Sequence, residues 1–284
     1  MSKITAFIDG SIYSQSVCEH AAWIAGRLDA SVELLHLLGR HETGSAPSDL
    51  SGNIALGARS SLLKELSELD EQRARLAMKR GRAILEDGEA AVRAAGVEAV
   101  SGRLRHGDVV DTVAEVEADS DLLVIGKRGE AADFAKLHLG SNLERVVRAS
   151  HKPVLVAARA FKPIEKVLVA YDGGASSIKA VDAISRSPLF AELTVKLLMV
   201  GTDNTEARNR LAEAEAVLRG AGVAVQSEVV AGQPETVISE RVESENFGLL
   251  VMGAYGHSRI RSLIIGSTTT EMLRSCKIPV MLFR

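Results

Sequence analysis

The sequence lacks the features that mark a membrane protein, a disulfide scaffold or a nucleic-acid binder. No uninterrupted apolar run approaches the ~18 residues that a bilayer span requires. The formal net charge is −3, so no basic excess is available to neutralise a nucleic-acid backbone. No polybasic run suggests an anionic membrane surface. Only two cysteines occur, Cys18 and Cys276. They lie far apart, each within a helical pattern and neither in a CxxC pair, and read as reduced structural thiols. The apolar run that follows Met1 meets Asp9 too early for a signal peptide, and the expected location is the cytoplasm. A G-x-x-x-x-G-K-[ST] phosphate loop is missing as well.

What is present is a repeat. Residues 3–10 read KITAFIDG and residues 166–173 read KVLVAYDG; DLLVIG at 121–126 answers GLLVMG at 248–253; PVLVA at 153–157 answers PVMLF at 279–283. Asp9 and Asp172 are 163 positions apart, whereas Gly96 and Gly222, Gly140 and Gly266, and Pro153 and Pro279 are 126 apart. The difference is a 37-residue insertion in the first copy, between positions 37 and 96. A chain of 284 residues with 46% hydrophobic and 25% charged content has room for two such units.

Each copy alternates strand and helix. In the second, the Val- and Leu-rich run 166–171 suits a strand buried on both faces. It is followed by a helix over 176–187, a strand 193–200, a helix near 204–219 and a strand 223–230. Helix 234–245, strand 249–252, helix 267–275 and strand 279–283 complete the copy. Five strands alternating with four helices predict a five-stranded parallel, doubly wound, Rossmann-like sheet in each copy. The expected units are 1–160 and 161–284, divided at the Pro163-containing link. The insertion, about 38–75, opens polar and turn-rich and passes into a helical stretch from about Ser60 to Ala95 with Leu62, Leu66, Leu69 and Leu76 at helical spacing. It reads as a mobile loop plus a lengthened helix: a plain extension, a flap over the first site or a partner surface.

In such sheets ligands sit beyond the carboxyl ends of the strands, at the point where strand order reverses. In the second copy that rim receives Ala170 and Asp172 from the first strand and Met252 and Gly253 from the fourth. The chain then runs Gly253, two residues, Gly256, nine residues, Gly266, Ser267, Thr268. Glycines permit close backbone approach to phosphate oxygens, and Ser267 and Thr268 open a helix whose free N–H groups favour an anion. His257 could touch a phosphate or be a solvated loop residue. Asp172 would be repelled by phosphates and is placed on a ribose, the alternative being a helix N-cap. Val200, at the end of the second strand, offers an apolar wall to a purine.

These residues resemble the ATP-binding members of the universal stress protein family, and the resemblance spans nearly the whole chain as two tandem copies. It implies the adenine nucleotide α-hydrolase-like fold and a bound ATP or other adenine nucleotide, commonly with Mg²⁺ or Mn²⁺. It also implies sheets paired through the last strand. Within one chain 153–157 and 279–283 can pair as a pseudo-dimer, and a homodimer stays open. In the first copy the corresponding residues are Asp9, Leu37, Gly126, Gly129, Gly140, Ser141 and Asn142. Here the loop has ten residues instead of nine, Leu37 replaces the valine, and Glu130 and Asp133 bring negative charge that Lys127, Arg128 or Lys136 would have to offset. This copy reads as a weaker or degenerate site. The expectation is an ATP-binding sensor or adaptor in the stress response with little or no hydrolysis, no catalytic base or nucleophile being evident. Two alternatives stay open. One is an interaction module with both sites empty. The other is an enzyme cleaving ATP between its α- and β-phosphates, because the segment Asp172 to Ser177 looks faintly like the S-G-G-x-D-S loop of such enzymes.

Overall fold

The computed structural model describes residues 2–39, 56–127, 141–254 and 267–284. The first half contributes strands β1 (Lys3–Phe7), β2 (Ser31–Leu38), β3 (Val100–His106), β4 (Leu122–Gly126) and β5 (Val154–Ala157). Its helices are α1 (Ser14–Leu28), α2 (Leu56–Ala94), α3 (Val109–Val116) and α4 (Ser141–Ala149). The second half contributes β6 (Lys166–Ala170), β7 (Thr194–Val200), β8 (Ala224–Val230), β9 (Leu249–Gly253) and β10 (Val280–Phe283). Its helices are α5 (Ala175–Arg186), α6 (Thr205–Gly220), α7 (Pro234–Ser244) and α8 (Ser267–Ser275). The predicted elements are found with ends shifted by one or two residues, except that the helix expected from about Ser60 begins at Leu56.

All ten strands form one sheet in the order β3-β2-β1-β4-β5-β10-β9-β6-β7-β8. Each half is parallel and reads the same from its outer edge inward. The halves join antiparallel at β5 and β10, where Val280, Met281 and Leu282 oppose Val156, Leu155 and Val154. The central strands are apolar at successive positions because both faces are covered. One face packs on α1, α2, α5 and α6 through side chains such as Ile24, Val92, Ile184 and Leu218. The other packs on α3, α4, α7 and α8 through Val113, Val146, Ile238 and Met272. Helix α5 shows the required spacing: Ser177, Ala180, Val181 and Ile184 are its buried residues. Helices α3 and α6 are started by Asp108 and Asn204, whose side-chain oxygens accept from the N–H groups of Val110 and Ala207.

Within each half a polar side chain of the first helix holds the segment that follows the last strand. Ser16 Oγ donates to the carbonyl of Ala158 at 2.8 Å, and its counterpart Lys179 Nζ donates to that of Arg284 at 3.0 Å. Arg27 Nε donates to the carbonyl of Leu189 at 2.7 Å, so α1 grips the second half directly. His20, fully buried in α1, stands edge-on to Phe161 with ring centroids 5.0 Å apart. Its Nδ1 lies 2.6 Å from the carbonyl of Ser16. A carbonyl only accepts, so Nδ1 carries the proton and Nε2 is a bare acceptor, which has no partner. Both cysteines are buried and free; burial, with Glu19 adding a smaller push, raises the Cys18 thiol to about 12. Among the described residues, no helix is long and apolar enough to cross a membrane.

The lengthened helix of the insertion is α2, 39 residues long against 16 for its counterpart α6. The loop expected before it lies outside the described residues.

Candidate functional site

β6 and β9 lie side by side with Ala170 opposite Met252. The chain leaves β6 toward α5 on one face of the sheet and leaves β9 toward α8 on the other. The strand ends between two such departures are the position where parallel α/β sheets receive ligands. Asp172 and Gly253 therefore share one rim. Val200 stands one strand further out, next to β6 through the pairing of Ala170 with Leu198. Val200 and Ala170 are half-buried, while Met252 is buried against the α7–α8 face. Thr268 lies in the first turn of α8. Its neighbour Thr269 donates its hydroxyl to the carbonyl of Gly253 at 3.2 Å, tying that helix start to the end of β9. The N–H of Ala254 donates to the carbonyl of Phe283 at 2.7 Å. Gly256, His257 and Gly266 lie outside the described residues, as does the side chain of Ser267, which opens α8.

Asp172 is exposed and organises the turn after β6. Its Oδ1 accepts from the N–H of Gly174 at 2.9 Å and from the Ser177 hydroxyl at 2.6 Å. It is not the N-cap of α5; that position belongs to Gly174, which makes no side-chain cap bond. The carboxylate instead braces the bend two residues earlier, which Gly173 negotiates with φ of +72°. Gly253 has a packing role of its own. A Cβ there would lie 3.0 Å from the Cβ of Ser176, so the bare strand end is what lets the start of α5 lie across it.

A residue that motif reading passed over completes this rim. Arg210, on α6, lies over the turn: a Cβ on Gly173 would be 3.2 Å from its Cδ and 3.5 Å from its Nη1. Its guanidinium is paired with Glu206 at 2.6 Å. Tyr171, between the strand and the carboxylate, has its phenol raised above the usual range, first by burial and then by Glu213 and Asp172, with Arg210 opposing. The sequence does carry a signal for Arg210: at the same offset of 126 that aligns the later parts of the copies, its counterpart is Ile84.

In the first half Asp9 repeats the turn, its Oδ1 accepting from the N–H of Ser11 at 3.0 Å and the Ser14 hydroxyl at 3.3 Å. Here, however, the residue over the turn is Ile84, whose Cδ1 would be 2.7 Å from a Cβ on Gly10. Leu37 and Gly126 are half-buried and Asn142 is exposed. Gly129, Gly140 and the side chain of Ser141 lie outside the described residues. Lys127, one of the cations expected to offset the acids of that loop, is buried and donates to the carbonyl of Cys276 at the end of α8. The seam draws it away because α8 presents unpaired carbonyls at its C-terminus, where a cation is favoured. Its counterpart is the buried Ala254.

The comparisons agree with this architecture. A model described as the universal stress protein family matches residues 1–158 and 192–284. A universal stress protein of Synechocystis sp. is 38% identical over 287 residues, covering all of both chains. The crystal structure of a universal stress protein from Archaeoglobus fulgidus superposes with a TM-score of 0.72 at 20% identity, covering 99% of this chain and 96% of that one. A functionally unknown protein of Pseudomonas aeruginosa superposes with a TM-score of 0.61 at 18% identity, over 100% and 92% of the two chains. With the family model spread over both halves and a full-length relative at that identity, the chain belongs to the universal stress protein family.

Proposed function

We propose that the second half binds ATP or a related adenine nucleotide in the crevice between β6 and β9, and that the protein acts in the cytoplasm as a nucleotide-responsive sensor or adaptor with little or no hydrolysis. In this reading the chain divides into units at 1–160 and 161–284. The observation that carries it is the convergence of Asp172, Gly253 and the start of α8 on one rim, with Arg210 lying over the turn at Gly173. Phosphates would meet the amides of the Gly253–Gly256 and Gly266–Thr268 segments, where a helix start favours an anion. His257 belongs to the same phosphate-facing segment. Asp172 would accept from ribose hydroxyls, and Ala170, Val200 and Met252 would form the apolar wall for the base.

Mg²⁺ or Mn²⁺ fits only as a companion of the phosphates. Among the described residues no group of three His, Cys, Asp or Glu side chains could hold a metal. The cleavage reading is weakened by the same turn: Asp172 and Ser177, the acid and hydroxyl of the loop that suggested it, are bonded to each other. For the first half a structural role is favoured, because Ile84 puts hydrocarbon where Arg210 puts charge. Titration calorimetry with ATP, ADP and AMP tests the proposal. One site per chain is expected, abolished by Gly266→Val, whose side chain would bar phosphate approach. Absence of ATP binding, or undiminished affinity in that variant, would overturn it.

A further inference from the structure

Helix α2 outruns the sheet it covers. Its C-terminal half packs inward through Leu85 and Val92, as α6 does through Leu211 and Leu218. The N-terminal half carries Leu62, Leu66, Leu69 and Leu76. At about 100° per residue these four span roughly 80° of the helix surface, on a side turned roughly 135° from the sheet-facing Leu85 and Val92. Leu66, Leu69 and Leu76 are 37%, 47% and 65% exposed. Four leucines in register on a protruding helix form a seam of coiled-coil spacing. Arg73 falls inside it, its guanidinium 3.8 Å from Asp70, and its methylene stem extends the apolar surface.

The residues along one flank of the stripe say what fits it. In order they are Glu65, Glu68, Gln72, Arg75 and Lys79: acidic toward the N-terminus and basic toward the C-terminus. Such a row is complementary to its own reverse. Two copies running antiparallel set Glu65 and Glu68 against Lys79 and Arg75 of the other, twice over by symmetry; in a parallel pair this row would face the opposite flank and the complementarity would be lost. The helix's own exposed pairs, such as Arg75 with Glu71 at 2.5 Å, are weak enough to exchange partners. The last strand of each half is spent, since β5 and β10 pair with each other inside the chain and each has a second strand neighbour.

We infer that the N-terminal half of α2 is the interface of a homodimer in which the helices of two copies pack antiparallel through the leucine stripe. Sedimentation velocity of the full chain over a concentration series tests this. The wild-type chain is expected to form a dimer. Leu69→Glu with Leu76→Glu should raise its dissociation constant by on the order of a hundredfold or more, because four buried leucines are lost across the two-fold. The circular dichroism of that variant should match the wild type. A second series leaves the leucines intact: Glu65→Lys with Glu68→Lys should weaken the dimer, and adding Arg75→Glu with Lys79→Glu should restore it. A chain that stays monomeric at every concentration, a dimer indifferent to the leucine changes, or a failure of the full charge swap to restore association would overturn the inference.

Discussion

Arg210 and Ile84 occupy the same place in the two halves, each lying over the glycine of the Asp-Gly turn that ends the first strand. The backbone beneath them is alike: Gly173 and Gly10 take φ of +72° and +75°. One half therefore covers this turn with a guanidinium, paired with Glu206, and the other with a sec-butyl group. A charge-assisted contact to an anionic ligand is open to the first and closed to the second. Arg210→Ile should lower ATP affinity by about tenfold, a loss of ~1.4 kcal/mol, while the thermal midpoint stays near that of the wild type. Calorimetry reads both stoichiometry and affinity; unchanged affinity would remove Arg210 from the site.

Asp172 serves the turn whether or not it serves a ligand. Asp172→Ala removes the acceptor for Gly174 N–H and the Ser177 hydroxyl and should cost ~1–2 kcal/mol of stability. Asp172→Asn keeps an oxygen at that position and should recover most of it. If the carboxylate also holds a ribose, both variants bind ATP more weakly than wild type, Ala more so. Paired thermal-shift and calorimetric measurements separate the two roles: stability that tracks the acceptor with ATP affinity unmoved would confine Asp172 to the turn.

His20 should make stability depend on pH. Burial holds its imidazole below the ordinary value of 6.5, outweighing the opposing pull of its Ser16 contact and Glu19. The unfolded chain therefore takes up this proton first as pH falls. The contribution is fully present above 6.5 and is lost progressively below it, toward the lower pKa of the folded chain. Urea unfolding at a series of pH values should show the decline, and His20→Gln should flatten it. A slope unaltered by that substitution would assign the effect to other groups.

Leu155 is fully buried in β5, opposite Met281 across the joint between halves. Leu155→Ala should destabilise the chain by ~2–5 kcal/mol through lost burial and the cavity left behind. A cost below ~1 kcal/mol in denaturant unfolding would mean the joint can collapse around the gap.

The fold was legible because its signals are local and repeated. Continuous Val and Leu runs mark strands covered on both faces, and the helix at 267–275 was placed at its observed bounds because Gly266-Ser267 starts it and Pro279 limits it. The pairing of 153–157 with 279–283 was anticipated only through the family resemblance, because each half has two edge strands and no local pattern says which of them meets the other half. The roles of single residues were harder to read. Gly253 looked like a phosphate glycine, and its bare Cα is also required by the Cβ of Ser176.

What the sequence determined by itself is the two-copy α/β plan and the sharing of one rim by Asp172 and Gly253, because strand order and hydrophobic period leave few other ways to bury these runs. Tertiary structure alone decided that Arg210 reaches over Gly173, that Lys127 leaves its loop for a helix end in the other half, and that Asp172 is bonded to its own turn. Those outcomes depend on which charged or flexible side chain finds a desolvated partner across the chain. No local pattern encodes that choice, since it is made only once the sheet has brought distant residues together.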